Sequence, residues 1–272
     1  MTETWRGSNL SEDSNPSKST DCSVDTDCKV GSIGIVVPAH NEAACIEQCL
    51  RAVEIARANL LRSQVPRTVV ACIALDRCTD RTPAIVEAWA AGRDWLLAIT
   101  CHHCGVGAAR RDAVAAIEGH LATGGPVDPA KVWVASTDAD SLVPADWLLH
   151  HAEAADLGVD LLLGRVTPDV IGDEAEAETD ARLLALWRNR HPDDLATVHG
   201  ANLGIRLSIY RDAGGFPPLS AHEDVALVEA VRARTDRIAH GSSVRTSSRL
   251  RGRAPAGFAH YLRTLAGELD RP

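Results

Sequence analysis

The chain has 272 residues, a formal net charge of -9 and a hydrophobic fraction of 45%. That length suits one large domain with a full core, and the acidic balance argues against a surface built to hold nucleic acid. No apolar run approaches the roughly 20 residues that span a bilayer, so no transmembrane segment is expected.

Residues 1–30 are polar and lack the apolar core of a signal peptide, so they read as a disordered leader ahead of a domain over 31–272. A cytoplasmic protein is the expectation. Basic charge is mostly arginine, since only Lys18, Lys29 and Lys131 are lysines. All eight cysteines lie in the first 104 residues. Cys101 to Cys104, "CHHC", is one CxxC pair without a second. It is read as a loop with ordinary thiols, with a zinc or redox site as the alternative.

"IGIVV" is a continuous apolar run that suits a buried parallel strand, stopped by Pro38. Asn41 is placed to cap the next helix, which sets Ala44, Cys45, Cys49, Val53 and Ala56 on one face. "TVVACIAL" (68–75) is a second strand, and Pro83 suits the start of a helix. "WLLAIT" (95–100) is a third strand, "GVGAARRDAVAAIEGH" becomes a helix, and "KVWVAST" (131–137) is a fourth strand. Strands alternating with helices predict a largely parallel α/β sheet, whose ligands sit at the carboxyl ends of strands. "PAHNE", "DRCTDRT" and "DADS" all fall at such ends.

The second half is less regular. "VDLLLGRVTP" reads as a strand and "DEAEAETDARLLALWRNRH" as a helix with charges matched to its dipole. "HGANLGIRLSIYRDAGGFPP" is mixed, "HEDVALVEAVRAR" is a helix, "GSSVRTSSRLRGRAPAG" is a basic loop, and a final helix starts near Ala256.

In an extended chain, side chains at i and i+2 share a face, so Asp138 and Asp140 can converge. Two converging carboxylates favour a hard cation, Mg²⁺ or Mn²⁺. The plain alternative is a polar turn in which one Asp caps a helix.

Taken in order, "IGIVVPAHNEAACIEQCL", "ALDRCTDRT", "GVGAARRDA", "VWVASTDADS", "GANLGIRLSIYRDAGGFP" and "HEDVAL" resemble family 2 of the inverting, nucleotide-sugar-dependent glycosyltransferases. The match covers about residues 32 to 230. The resemblance implies a GT-A fold with a mainly parallel central sheet flanked by helices. It implies a nucleotide-sugar-binding half over 31–141 and an acceptor half, with a C-terminal lid and helix, over 142–272. Pro38, Ala39 and Glu42 match the segment that cups base and ribose. Asp76 matches the aspartate that hydrogen-bonds the base, usually uracil. Arg77 and Cys78 stand where the family usually has glycine and serine. Asp138 and Asp140 match the DxD pair, and Asp224 matches the catalytic base, with Glu223 beside it. The structural alternative for both acids is a helix N-terminus satisfying its dipole.

His199, Gly200 and Asn202 are expected on the acceptor wall, with Gly200 and Gly204 allowing close backbone approach. Arg245, Arg249, Arg251 and Arg253 form either a solvated loop or a mobile lid that binds diphosphate. His240 is a candidate third metal ligand, as a late histidine is in some GT-A enzymes. The expected activity is metal-dependent transfer of a single sugar, from a UDP-sugar by preference. The hydroxyl acceptor is left open as a small molecule, a lipid-linked group or a glycan. Rival readings are a sugar-phosphate nucleotidylyltransferase, which would need a basic residue after strand one, and a non-catalytic nucleotide-sugar-binding module.

Overall fold

The computed structural model of the chain describes residues 29–63, 65–102, 105–171, 181–190, 198–250 and 258–269. Four parallel strands form its first half: β1 (Ser32–Ala39), β2 (Thr68–Asp76), β3 (Leu96–Cys101) and β4 (Val132–Ser136). Between them run α1 (Ile46–Leu61), α2 (Thr82–Ala90) and α3 (Val106–Ala122). The second half adds β5 (Ser141–Leu142), α4 (Trp147–Asp156), β6 (Leu161–Asp169), α5 (Ala181–Arg190), β7 (Leu203–Arg206), α6 (Leu207–Asp212), α7 (Glu223–Arg232), β8 (Ile238–Ser247) and α8 (Phe258–Leu269).

All eight strands join one mostly parallel sheet in the order β3-β2-β1-β4-β7-β6-β8-β5. β7 runs antiparallel to both β4 and β6, while β6 and β8 are parallel. Both faces are covered, which explains the unbroken apolar runs. Ile33, Ile35 and Val37 alternate onto the face packed by α1 and α4. Val36 points the other way, toward α3 and α7. Gly34 shares that second face, where a Cβ would stand 2.7 Å from Ile117. Leu183 and Trp187 of α5 pack with Leu262 and Leu265 of α8 in a separate small cluster.

Four sequence expectations need correction. β1 does not stop at Pro38 but continues to Ala39. β4 pairs with β1 only as far as Val36, so the missing N–H of Pro38 costs that ladder nothing. Asn41 does not cap α1, whose N-cap is Cys45. Its side-chain oxygen instead accepts from the backbone N–H groups of Thr79 and Asp80, at 2.7 and 3.3 Å. The first part of the basic loop is strand, because β8 takes Gly241 to Ser247 into the sheet. The domain also begins before residue 31. Val30 is 1% exposed, and its N–H donates to Asp156 Oδ1 at 3.1 Å.

Candidate active site

A cavity of about 920 Å³ opens at the carboxyl ends of β1, β2 and β4. Pro38, Ala39, Glu42 and Asp76 line one side, and Asp138 and Asp140 line its floor. His199, Gly200, Glu223 and Asp224 line it as well. Asp138, Asp140, Asp76 and the "HED" acids thus meet in one space.

The loops that bring them there are strained. Asn41, Arg77 and His222 have φ values of 56, 49 and 62°, and no other described non-glycine residue has positive φ. Each lies in one of the polar clusters that border the cavity, and such conformations persist where the surroundings over-determine them. Gly107 does similar work without strain. A Cβ there would meet the Pro217 carbonyl at 2.0 Å and the Glu223 Cβ at 2.9 Å, so only glycine lets the start of α3 abut the turn carrying Glu223.

Asp138 and Asp140 are not side by side on an extended strand. The chain turns at Ala139–Asp140, and the Ser141 N–H closes the turn onto the Asp138 carbonyl at 3.0 Å. Each carboxylate meets a different arginine. Arg249 donates to Asp140 Oδ2 at 2.9 Å and grips Glu42 at both oxygens, at 2.5 and 2.6 Å. Burial pushes the Asp140 carboxyl up to about 7, with Glu42 and Asp138 adding to that and Arg249 opposing it. Glu42 is therefore held by Arg249 rather than standing open toward a ribose.

Arg110 is the residue that sequence reasoning missed. It is 3% exposed, donates through Nη2 to Asp138 Oδ1 at 2.5 Å, and donates through Nη1 to Glu223 Oε1. Its signal was present: Arg110 shares a helical stripe with Ala113, Val114 and Ile117, all buried. A charge on an apolar stripe needs a partner, and here it has two.

Asp76 is 6% exposed, and its Oδ1 accepts no hydrogen bond, with Arg77 Nε 3.7 Å away. A buried carboxylate oxygen with spare capacity facing a cavity is an acceptor for a ligand donor. Asp224 is fixed differently. Its Oδ2 accepts from the Gly200 N–H at 2.6 Å and its Oδ1 from the Val225 N–H at 2.8 Å. Gly200 passes so close to Arg110 that a Cβ would lie 2.6 Å from its guanidinium, as the need for close approach predicted.

Other expected residues fall elsewhere. Asn202 is 2% exposed, and its amide is spent on Trp147 Nε1 and on the Arg165 and Ser242 carbonyls, at 3.0, 2.8 and 2.8 Å. It supports the wall and does not face an acceptor. Arg245 points to Asp169 at 2.8 Å on the outer part of β8 and does not line the cavity. His240, also on β8, is not in the cavity lining either; burial, then Arg232 and Arg165, lower its pKa. Among the described residues no three His, Cys, Asp or Glu side chains converge, so His240 does not complete a shell around the DxD pair. Cys101 is a buried free thiol pushed up to about 12 by burial, while His103, Cys104, Arg251 and Arg253 lie outside the described residues. The far end of the cavity, unsuspected from sequence, is apolar: Trp187 of α5 and Phe258 and Tyr261 of α8 line it.

Residues 34–209 match the family model described as glycosyl transferase family 2. The chain belongs to glycosyl transferase family 2. No curated protein gives a significant sequence match. Among solved structures, this family 2 chain is similar to a mannosyltransferase from Pyrobaculum calidifontis in complex with GDP-Man and Mn²⁺. The identity is 19% and the TM-score 0.55, over 87% of this chain and 61% of that one. It therefore spans less than two thirds of that neighbour. It is also similar to the glucosyl-3-phosphoglycerate synthase of Mycobacterium tuberculosis in complex with Mn²⁺, UDP and glucosyl-3-phosphoglycerate. Here identity is 16% and TM-score 0.51, over 94% of this chain and 85% of that one. These likenesses establish the shared fold. No helix of the described residues is long and apolar enough to cross a membrane.

Proposed function

We propose that this chain is an inverting glycosyltransferase that moves a single sugar from a nucleoside-diphosphate sugar, preferably a UDP-sugar, to an acceptor hydroxyl. The observation that supports the reading is that Asp138, Asp140 and Asp224 all line a single cavity. The nucleotides held by the two neighbours support the donor class.

The site fits Mn²⁺ or Mg²⁺. Asp138 and Asp140 supply hard oxygen ligands, and a cation beside Asp140 would offset the cost of burying its charge, the main cause of its raised carboxyl. Two carboxylates leave the other positions to water and substrate oxygens, as suits Mg²⁺. An ion held there would stabilise charge on the departing diphosphate.

The chain's own groups do the rest. Asp76 receives the base at its free oxygen, with Pro38 and Ala39 beneath. The acceptor oxygen attacks the anomeric carbon opposite the diphosphate. The sugar–phosphate C–O bond breaks with its electron pair going to phosphate, and the acceptor proton passes to the Asp224 carboxylate. The Gly200 and Val225 N–H groups hold that carboxylate in one orientation. Glu223 stays buried against Arg110 and positions it. Free thiols at Cys49, Cys72, Cys78 and Cys101 suit a reducing compartment, and we place the protein in the cytoplasm. A nucleotidylyltransferase is disfavoured because His40, Asn41 and Glu42 follow β1, with no lysine or arginine to hold a triphosphate.

Calorimetry tests this. UDP should bind at least about tenfold more tightly with Mn²⁺ than with EDTA, a difference of roughly 1.4 kcal/mol. Equal affinity in the two conditions would defeat the metal-dependent donor site.

A further inference from the structure

Arg77 follows the last residue of β2 and has a φ of 49°. Asparagine visits this left-handed region because its short polar side chain can bond locally. Arginine has no such help and carries the steric cost in full. The strain has a geometric result. In an extended strand, neighbouring side chains point to opposite faces. The left-handed turn at Arg77 cancels that alternation after Asp76. The two side chains stand together, with Arg77 Nε 3.7 Å from Asp76 Oδ1, and both residues line the large cavity.

This is not a completed ion pair. A separation of 3.7 Å is too long for a hydrogen bond, and among the described residues the Arg77 guanidinium makes none. Its side chain is 48% exposed, so the attraction is screened and adds little to the fold. Asp76 is buried, and its Oδ1 accepts no hydrogen bond. One buried acceptor and a set of unspent donors therefore lie next to each other on the cavity wall. Their mounting is firm. The Arg77 N–H donates to the Cys101 carbonyl at 3.2 Å, and His40 Nδ1 lies 2.7 Å from the Asp76 carbonyl oxygen. The loop is also stitched to the one after β1. The Thr79 N–H donates to Asn41 Oδ1 at 2.7 Å, and the Ala43 N–H donates to Asp80 Oδ2 at 3.0 Å.

We propose that Arg77 reads the nucleobase of the donor: Asp76 accepts the base N–H, and the Arg77 guanidinium donates to the carbonyl oxygen beside it. This rests on the nucleotide-sugar reading of the site. Uracil presents such an edge, an N–H flanked by two carbonyls. A carboxylate can only accept, so Asp76 alone meets half of that edge, and arginine, which can only donate, meets the other half. Arg77 is a specificity residue and does not touch the reacting atoms.

The test compares the full chain with Arg77→Gly and Arg77→Asn. Both substitutes accept a positive φ more readily than arginine, so neither should lower the urea midpoint. UDP is titrated calorimetrically with Mg²⁺ present, and inorganic diphosphate is titrated as a competitor. Both variants should raise the UDP Kd about tenfold, the effect of losing one charged hydrogen bond, and leave the diphosphate Kd within about twofold. A UDP Kd unchanged in the variants overturns the proposal. So does an equal rise for diphosphate, which would make Arg77 a general attractor of phosphate. Recovery of wild-type affinity in Arg77→Asn but not in Arg77→Gly would also overturn it, because loop stiffness and not the guanidinium would then be the cause. If diphosphate does not compete with UDP, the affinity comes through the nucleoside and the UDP comparison decides alone. Failure of the wild-type chain to bind UDP would defeat the donor reading and this proposal together, whereas UDP binding indifferent to residue 77 defeats this proposal only.

Discussion

Arg249 holds Glu42 through two N–H···O bonds, at 2.5 and 2.6 Å, with both side chains at most 10% exposed. Removing one partner of a buried pair leaves the other charge stranded. Arg249→Gln should therefore cost about 3 kcal/mol in urea denaturation, the low end for such pairs. Adding Glu42→Gln should recover part of that loss, because the two residues share one interaction. Arg249 also neutralises Asp140, so Arg249→Gln should tighten nucleotide-free Mn²⁺ binding several-fold, read by the free-Mn²⁺ electron-spin signal. Weaker Mn²⁺ binding would show that Arg249 supports the metal instead of competing with it.

Asp224 and Glu223 are neighbours with separate tasks. Asp224→Asn keeps the shape and one of the two backbone contacts, to Gly200 or to Val225, but removes the proton acceptor. Donor binding should be normal and transfer should fall at least about a hundredfold. Glu223→Gln should lower stability through loss of the Arg110 pair while retaining much more transfer. If transfer survives Asp224→Asn and disappears in Glu223→Gln, the base has been assigned to the wrong carboxylate.

Gly204 lies against the core. A Cβ there would stand 2.5 Å from His151 Nδ1 and 2.6 Å from Trp133 Cζ2, and both rings are buried. Gly204→Ala should cost roughly 1–3 kcal/mol as overpacking, measured by chemical denaturation. An unchanged midpoint would mean that β7 can slide away from these rings.

His151 gives a pH signature. Its Nδ1 accepts from Trp133 Nε1 at 2.9 Å, and burial lowers its pKa from 6.5 to about 3. Between those values the unfolded chain binds a proton that the folded chain refuses, so stability is lost as pH falls below 6.5. His151→Gln keeps an acceptor for Trp133 and removes the titration. The stability lost between pH 7 and pH 5 should be smaller in this variant by about 2 kcal/mol.

The first half of the fold was legible because α and β periodicities alternate cleanly there, and the carboxyl ends of β1, β2 and β4 did collect the polar clusters. The second half hid β8. Its sequence "IAHGSSVRTS" is small and polar, and it is strand because β6 offers it a parallel edge, not because its own propensity demands it. At the site, Asp76, Asp138, Asp140 and Asp224 were named from their place in motifs. Arg110 was not, although its position on a buried stripe marked it. Asn202 was misread because sequence shows a polar side chain but not whether its hydrogen bonds are already spent. The leader boundary failed for a related reason: Val30 looks unremarkable until the sheet closes over it.

Arg110 has a consequence for how the two substrates bind. One guanidinium is shared between Asp138 and Glu223, which on the proposed reading flank the donor and the base. A cation that draws Asp138 toward itself loosens one arm of this fork and leaves the other to Glu223 alone. The two substrate positions are then thermodynamically linked through a single side chain. Whatever factor the donor applies to acceptor affinity, the acceptor must return to donor affinity. Donor affinity that changes with acceptor concentration is the behaviour such a shared counter-ion predicts.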